Sequence, residues 1–192
     1  EIAKFRAVRR VYAKVMRERL GAKNPESMRL RFHCQTAAAS LTKPQPKINI
    51  VRTGLQALAA VLGGAQSLHT NGMDEAFAIP TEEAMKIALR TQQIIADESG
   101  VAGVADPLGG SYFVESLTTR FERGIFEIMD DVERRGGTIK LIEDGWFQQR
   151  IADFAYETAR RKASGEKPVI GVNRYVEPDE RFDVEIHPYD PT

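Results

Sequence analysis

Between Arg29 and Asn71 the sequence sets two short stretches of alternating polarity on either side of a helical pattern, and this arrangement constrains the fold more than any other feature. In Arg29–Thr36, Leu30, Phe32 and Cys34 alternate with Arg31, His33 and Gln35. Successive side chains of a strand point to opposite faces. One face is therefore apolar, and the other carries a guanidinium, an imidazole and an amide. In Gln66–Asn71, Ser67, His69 and Asn71 share one face and Leu68 lies on the other. A strand between helices has both faces covered and ordinarily reads as an apolar run. The expectation is thus a buried polar face, which needs partners; a bound polar ligand would supply them.

The connecting segment is read as a helix. Thr42-Lys43-Pro44-Gln45 has the form of a capping box, Val51, Leu55, Leu58, Val61 and Leu62 mark an apolar side, and Gly63-Gly64 stop it. Strand, helix and strand make a crossover between parallel strands. Two strands do not make a stable sheet alone, so further strands of a parallel sheet are expected outside this chain. Ligands of such sheets gather at the C-terminal strand ends, here Gln35, Thr36, Thr70 and Asn71.

The remainder reads as helical. A basic helix over residues 1–20 carries Ile2, Phe5, Val8, Tyr12, Val15 and Met16 on its apolar side. Its lysines and arginines are read as a solvated outer face rather than a site for an anionic surface. Thr81 caps a helix with Ala84, Ile87, Ala88, Thr91, Ile94 and Ile95 inward. Further helices are expected from about Phe113 to Arg135, Ile139 to Glu143 and Phe147 to Ala163, with a brief extended segment at Lys167–Val172.

Lys plus Arg and Asp plus Glu both number 27, so no net charge draws the chain to nucleic acid or membrane. One cysteine, Cys34, allows no internal disulfide and suits a reducing, cytoplasmic setting. No apolar run approaches the roughly 20 residues of a membrane span, and no signal-peptide pattern occurs. The chain starts at Glu1, already within a helical pattern, and is expected to be a piece of a longer protein.

Several residues are candidates for chemistry. His33 can accept, donate or exchange a proton near neutral pH; the alternative is a buried imidazole bonded to backbone. Ser67 and His69 share a face but lack the exposed elbow of a nucleophilic serine. His33, His69 and Glu75 are metal-ligand types without ligand spacing, so no metal is expected. Asn71 and Glu75 on one loop suit sugar hydroxyls, as in ribose contacts of dinucleotide sites, or else a helix-capping loop. Gly63-Gly64 and Gly109-Gly110 are too short for phosphate loops, and Trp146 and Phe147 read as core or interface.

Arg31-Phe32-His33-Cys34-Gln35-Thr36, Ser40-Leu41-Thr42 and Asn49-Ile50-Val51-Arg52-Thr53 resemble the large chain of coenzyme-B12-dependent acyl-CoA mutases, the methylmalonyl-CoA mutase family. Gln66 to Asn71, Asp74-Glu75-Ala76, Ala105-Asp106-Pro107 with Gly110-Ser111-Tyr112, and Gly171 to Tyr175 match in the same order. The resemblance implies an α/β fold, the C-terminal portion of a TIM barrel with its last two strands, followed by a helical region. Residues 1–100 would be barrel, 101–175 the helical post-barrel region and 176–192 a linker. It implies a radical 1,2-rearrangement of an acyl-CoA, of the methylmalonyl-CoA to succinyl-CoA type, with adenosylcobalamin as cofactor. A related mutase for isobutyryl-, 2-hydroxyisobutyryl- or ethylmalonyl-CoA is the alternative, as is a structural fragment of the barrel without catalytic function. By match, His33, Gln35, Asn71 and Glu75 bind cofactor, with His33 and Gln35 also near substrate, while Arg31, Gln66 and Ser67 bind substrate. The principal catalytic His of the family falls before this chain, so no catalytic residue is expected within it and the fragment alone would be inactive. Implied partners are the acyl-CoA, a cobalamin-binding domain or small subunit, the remaining strands and an oligomer. Three departures stand out. Ala37-Ala38-Ala39 replaces a Gly followed by a Trp that packs on the corrin. Glu26 stands where relatives carry Lys or Arg near the CoA phosphates, a place Arg29 would fill. The Tyr and Arg that choose the acyl group are absent.

Overall fold

A computed structural model describes residues 1–178; most of the expected 176–192 linker lies outside them. Two compact units divide the described residues after Arg123. The first holds helix α1 (Ile2–Lys14), strand β1 (His33–Gln35), helix α2 (Asn49–Leu62), strand β2 (Ser67–His69), helix α3 (Glu82–Asp97) and the first part of helix α4 (Tyr112–Arg134). The second holds the end of α4, helix α5 (Thr138–Glu143) and helix α6 (Trp146–Ala163).

The two strands pair in parallel with His33 opposite Ser67, Cys34 opposite Leu68 and Gln35 opposite His69. The crossover through α2 is thus as read. Each strand is shorter than its alternating stretch: Arg29–Phe32 and Gln66 lie outside the ladder. Pairing still extends past both ends. The Gln66 amide N–H donates to Phe32 O at 3.3 Å, and Thr36 N–H donates to His69 O at 3.1 Å. Gln66 also clamps with its side chain, Oε1 accepting from Phe32 N–H at 2.8 Å and Nε2 donating to Gly64 O at 2.8 Å.

The start of α2 departs from the capping-box reading. Thr42 Oγ1 donates to Pro44 O, and Gln45 takes a left-handed conformation at φ 51°. A short 3-10 turn, Pro46–Ile48, precedes the helix, which begins at Asn49. Pro44 and Pro46 lack amide donors and restrict the residue before them, so no α-helix can begin at Thr42. Asn49 takes over the end: fully buried, it accepts from Thr42 N–H at 3.1 Å and donates to Thr42 O and Met73 O at 2.9 and 3.0 Å.

The buried face of α2 is also a correction. Asn49, Thr53, Ala57 and Ala60 point inward, whereas Val51 and Leu55 are 59% and 65% exposed and Val61 is exposed as well. In α3, Ala84, Ala88 and Ile95 are buried while Ile94, Met85 and Leu89 are exposed. In α1 the most buried side chains are Ala3, Ala7 and Val11, between half-buried Phe5, Val8 and Tyr12. Small residues win these positions because close helix approach needs short side chains. Phe5 comes so near Gly63 that a Cβ there would lie 2.6 Å from its ring, so α1 and the end of α2 meet only through a glycine. Large apolar residues are exposed on α2, α3, α4 (Phe121, Ile128) and α6 (Ile151, Phe154) of this chain.

The basic side of α1 is solvated at Arg10 and Lys14, as read, but it also forms an ion-pair ladder. Arg6 pairs with Asp106 and Glu115, Arg10 reaches Glu115 and Glu122 at 3.4 Å each, and Lys14 pairs with Glu122. In the same helix Arg9 Nη1 donates to Gly63 O and to Gly64 O. The helix continues past Lys14 as a π-helical turn, Val15–Arg19. In the second unit, Trp146 sits edge-on to Phe147 and beneath the guanidiniums of Arg135 and Arg150. No strand forms at Lys167–Val172; Ile170 and Arg174 make an isolated bridge around a turn.

Two outcomes follow for the protein in its complete form. Gln66→Ala removes the side-chain clamp and should speed amide hydrogen exchange at Phe32 while costing about 1 kcal/mol of stability; unchanged exchange at Phe32 would contradict the clamp. The second concerns the ladder. Lys14, and then Arg10, hold the Glu122 carboxyl below its ordinary 4.5 against the opposing effect of burial. A lowered folded pKa means that the stabilisation is complete above the unfolded carboxyl's value and is lost as pH falls through the folded one. Urea unfolding of Glu122→Gln should therefore match wild type at acid pH and fall below it above about pH 5, with the gap narrowing in high salt.

Candidate functional site

The polar faces of β1 and β2 lie side by side because paired residues of a parallel ladder share a face. His33 Nδ1 and Ser67 Oγ are 2.8 Å apart. Gln35 stands opposite His69 and turns its Nε2 to Asn71 Oδ1 at 3.3 Å. The expectation that this face is buried is not met on the chain by itself: Arg31, His33, Gln35 and Ser67 are exposed. Among the described residues the sheet has two strands, and this face of it stays open.

Just past the strands the surroundings become buried. Thr36 and Asn71 are 6% and 2% exposed. Thr36 Oγ1 donates to Asn71 Oδ1 at 2.9 Å and accepts from Asn71 N–H at 2.9 Å. The Asn71 Nδ2 group is buried and has no partner among the described residues. Thr70, also buried, donates to Ala88 O at 2.7 Å and accepts from Gln92 Nε2 at 2.9 Å, which pins the end of β2 to α3. Asp74 then shapes the loop. Its Oδ2 accepts from Thr81 N–H at 2.7 Å, its backbone carbonyl accepts from Phe77 N–H, and its Oδ1 is buried without a partner. Gly72 has no room for a side chain, since a Cβ would meet Asp74 Oδ1 at 2.6 Å. Thr81 Oγ1 accepts from Ala84 N–H, so α3 starts with the expected cap. Glu75 follows, half-buried, with no side-chain partner among the described residues.

The loop after β1 is fixed from α2. Gln56 Oε1 accepts from Ala37 N–H at 2.5 Å and its Nε2 donates to Ser40 Oγ at 2.6 Å. The three alanines leave Ala37 and Ala39 exposed beside the strand ends. Gln56 and Gln92 support this region without having drawn notice in the sequence. Their signal is weak, because a polar residue on a helix surface usually faces water.

The remaining candidates are dispersed. Arg31 lies before β1 and pairs with Glu26 at 3.2 Å, and Arg29 pairs with the same carboxylate at 2.7 Å. Both pairs are exposed, and such pairs are weak, so the two guanidiniums stay available to a stronger anion. Gln66 is occupied as the strand clamp. Ser67 partners His33 rather than His69. Cys34 lies on the opposite face of β1, where burial pushes its thiol up and keeps it protonated near neutral pH. Among the described residues no group of three His, Cys, Asp or Glu is placed to hold a metal ion, and no described helix is long and apolar enough to cross a membrane.

What stands together at the C-terminal strand ends, then, is the amide pair of Gln35 and Asn71 with the Thr36 hydroxyl, while His33 and Ser67 pair at the start of the ladder and Glu75 lies four residues along the loop from Asn71. Known proteins carry segments similar to this chain. It is 77% identical over 192 residues to the 2-hydroxyisobutanoyl-CoA mutase large subunit of Aquincola tertiaricarbonis, covering all of this chain and 34% of that subunit. It is 45% identical over 185 residues to the mitochondrial methylmalonyl-CoA mutase of Bos taurus, covering 96% of this chain and 25% of that enzyme. The human mitochondrial methylmalonyl-CoA mutase is 45% identical over 175 residues. The chain thus spans between 23% and 34% of the length of these relatives. The sequence model described as methylmalonyl-CoA mutase matches residues 1–192, and the chain belongs to that family.

Proposed function

We propose that this chain is part of the substrate-binding subunit of an adenosylcobalamin-dependent acyl-CoA mutase. Residues 1–100 would complete a TIM barrel as its last two strands and helices, and 101–175 would form the helical region behind it. The observation that carries this reading is the buried Asn71 amide at the C-terminal strand ends, which accepts from Gln35 and whose Nδ2 lacks a partner among the described residues. A ribose hydroxyl is the kind of group such donors and acceptors hold. The residues present therefore fit the adenosyl part of the cofactor: Asn71 and Glu75 would hold its ribose, with His33 and Gln35 lining the cavity between it and the substrate.

What the bound group supplies is a carbon radical that starts the 1,2-rearrangement of the acyl skeleton. The residues of this chain bind, orient and exclude water. His33 commits Nδ1 to Ser67, which leaves Nε2 as the ring nitrogen for a ligand. Ser67, Gln66 and Arg31 would flank the acyl-CoA, with Arg31 and Arg29 moving from Glu26 to its phosphates. No residue here is assigned a bond-breaking step. The exposed apolar faces of α2 and α3 and the open polar face of the sheet support completion by the remaining strands, a cobalamin-binding domain or small subunit, and an oligomer. The unpaired Cys34 suits the cytoplasm.

Within the methylmalonyl-CoA to succinyl-CoA class of rearrangement, identity favours a branched hydroxyacyl substrate. The chain is 77% identical to a subunit named for 2-hydroxyisobutanoyl-CoA and 45% identical to enzymes named for methylmalonyl-CoA. A steady-state assay of the complete enzyme with both thioesters should give kcat/KM about tenfold or more higher for 2-hydroxyisobutanoyl-CoA; higher kcat/KM for methylmalonyl-CoA would overturn this choice, and no cobalamin-dependent turnover of either would overturn the whole reading. Glu75→Gln in that enzyme should weaken adenosylcobalamin binding about tenfold, read by equilibrium titration, because a charged acceptor to a ribose hydroxyl becomes a neutral one.

A further inference from the structure

We infer that Thr36 is the positioning residue that sets the amide of Asn71 for its ligand, an inference that rests on the assignment of Asn71 to the adenosyl ribose. Three observations carry it. First, the bond between the two residues is reciprocal. The Asn71 backbone N–H can only donate, and it donates to Thr36 Oγ1 at 2.9 Å. The single hydroxyl proton of Thr36 is then directed to the second contact, Asn71 Oδ1 at 2.9 Å. Second, Gln35 Nε2 donates to the same Oδ1 at 3.3 Å. Two donors on one side-chain atom decide which end of the amide is oxygen; a flipped amide would bring an NH2 group against the Gln35 donor and leave the Thr36 proton without an acceptor. Third, the orientation so fixed leaves Nδ2 buried and unpartnered in a residue only 2% exposed.

A buried amide N–H2 without an acceptor costs free energy that a ligand oxygen returns on binding. Freezing the flip beforehand means that binding does not have to select it. Thr36 is suited to this because its β-branched side chain has few rotamers, and because its own amide is fixed by donation to His69 O. Thr36 is the first residue past β1 and Asn71 the second past β2, so the pairing of Gln35 with His69 brings the two close. Thr36 touches no reacting atom in this scheme; it acts only through Asn71.

The test uses the complete enzyme with its cobalamin-binding part, and titrates adenosylcobalamin and hydroxocobalamin, which lacks the adenosyl group, into wild type, Thr36→Val, Thr36→Ser, Asn71→Ala and the Thr36→Val/Asn71→Ala double variant. Thr36→Val should weaken adenosylcobalamin binding about tenfold and leave hydroxocobalamin binding within about twofold. Thr36→Ser, which keeps the hydroxyl, should restore most of the loss, and the double variant should be no weaker than Asn71→Ala alone. Thr36→Ala serves in place of the valine variant should that one fail to assemble. If Asn71→Ala discriminates between the two cobalamins and Thr36→Val does not, the positioning role is wrong while the assignment of Asn71 stands. If Asn71→Ala does not discriminate, the assignment itself is wrong and the inference falls with it. Equal loss of both cobalamins in Thr36→Val, or no restoration by serine, would mark Thr36 as a structural residue and overturn the inference.

Discussion

The parallel pairing of His33–Gln35 with Ser67–His69 is the interaction on which the rest of the first unit depends. Three residues per strand is little ladder for such a task. The register is held by side chains beyond both ends: the Gln66 clamp on Phe32 at one, the Thr36–Asn71 exchange at the other. A shift by one residue would turn every side chain to the opposite face. It would put Phe32 and Cys34 among the polar groups and separate His33 from Ser67. The same contacts that stabilise the pairing therefore decide which residues can face a ligand together.

Polar residues, more than apolar ones, fix the elements around that pair. Asn49 ties the Thr42 backbone and the Met73 carbonyl, Thr70 ties β2 to α3, Gln56 ties the loop after β1, and Asp74 ties the start of α3. Several of these are almost fully buried, where a lost partner costs more than at a surface. The large apolar residues of α2 and α3 meanwhile point away from the strands. This distribution suits a region whose inner wall contacts a polar ligand and whose outer wall meets more protein. The α1–α4 ion-pair ladder is a third kind of contact, between charged helix faces, and it lets α1 use its apolar side against α2.

How much of this was legible in the sequence follows from the range of each interaction. The strand–helix–strand order, the Thr81 cap and the helices from Phe113 onward could be read, because each depends on neighbours within a few residues. The inward face of α2 could not. Periodicity marked Val51, Leu55 and Val61, but the contact distance at the strands admitted only Ala57, Ala60, Thr53 and Asn49. The start of α2 was missed for a related reason: Thr42 and Gln45 have the right spacing for a cap, yet Pro44 and Pro46 forbid the helix between them. The pairing of the basic α1 face was out of reach, since Glu115 and Glu122 lie more than a hundred residues away.

The candidate site divides along the same line. Alternation placed His33, Gln35, Ser67 and Asn71 together correctly, because a two-residue period and a parallel register are enough to do so. Alternation could not show that Gln66 points into its own strand pair, or that the amide of Asn71 is held from Thr36. Those facts depend on where two strand ends meet, 35 residues apart in the chain. Burial separates the two groups in a way that bears on their roles. His33, Gln35 and Ser67 are open on this chain; under the proposed function, substrate, cofactor and further strands would cover them. Asn71 is already enclosed, with its orientation set and its Nδ2 group without a partner among the described residues. An enclosed donor of fixed direction recognises an oxygen at one point, whereas an exposed imidazole adjusts to what approaches. On that ground the enclosed pair would fix position in the proposed site, and the exposed face would adapt.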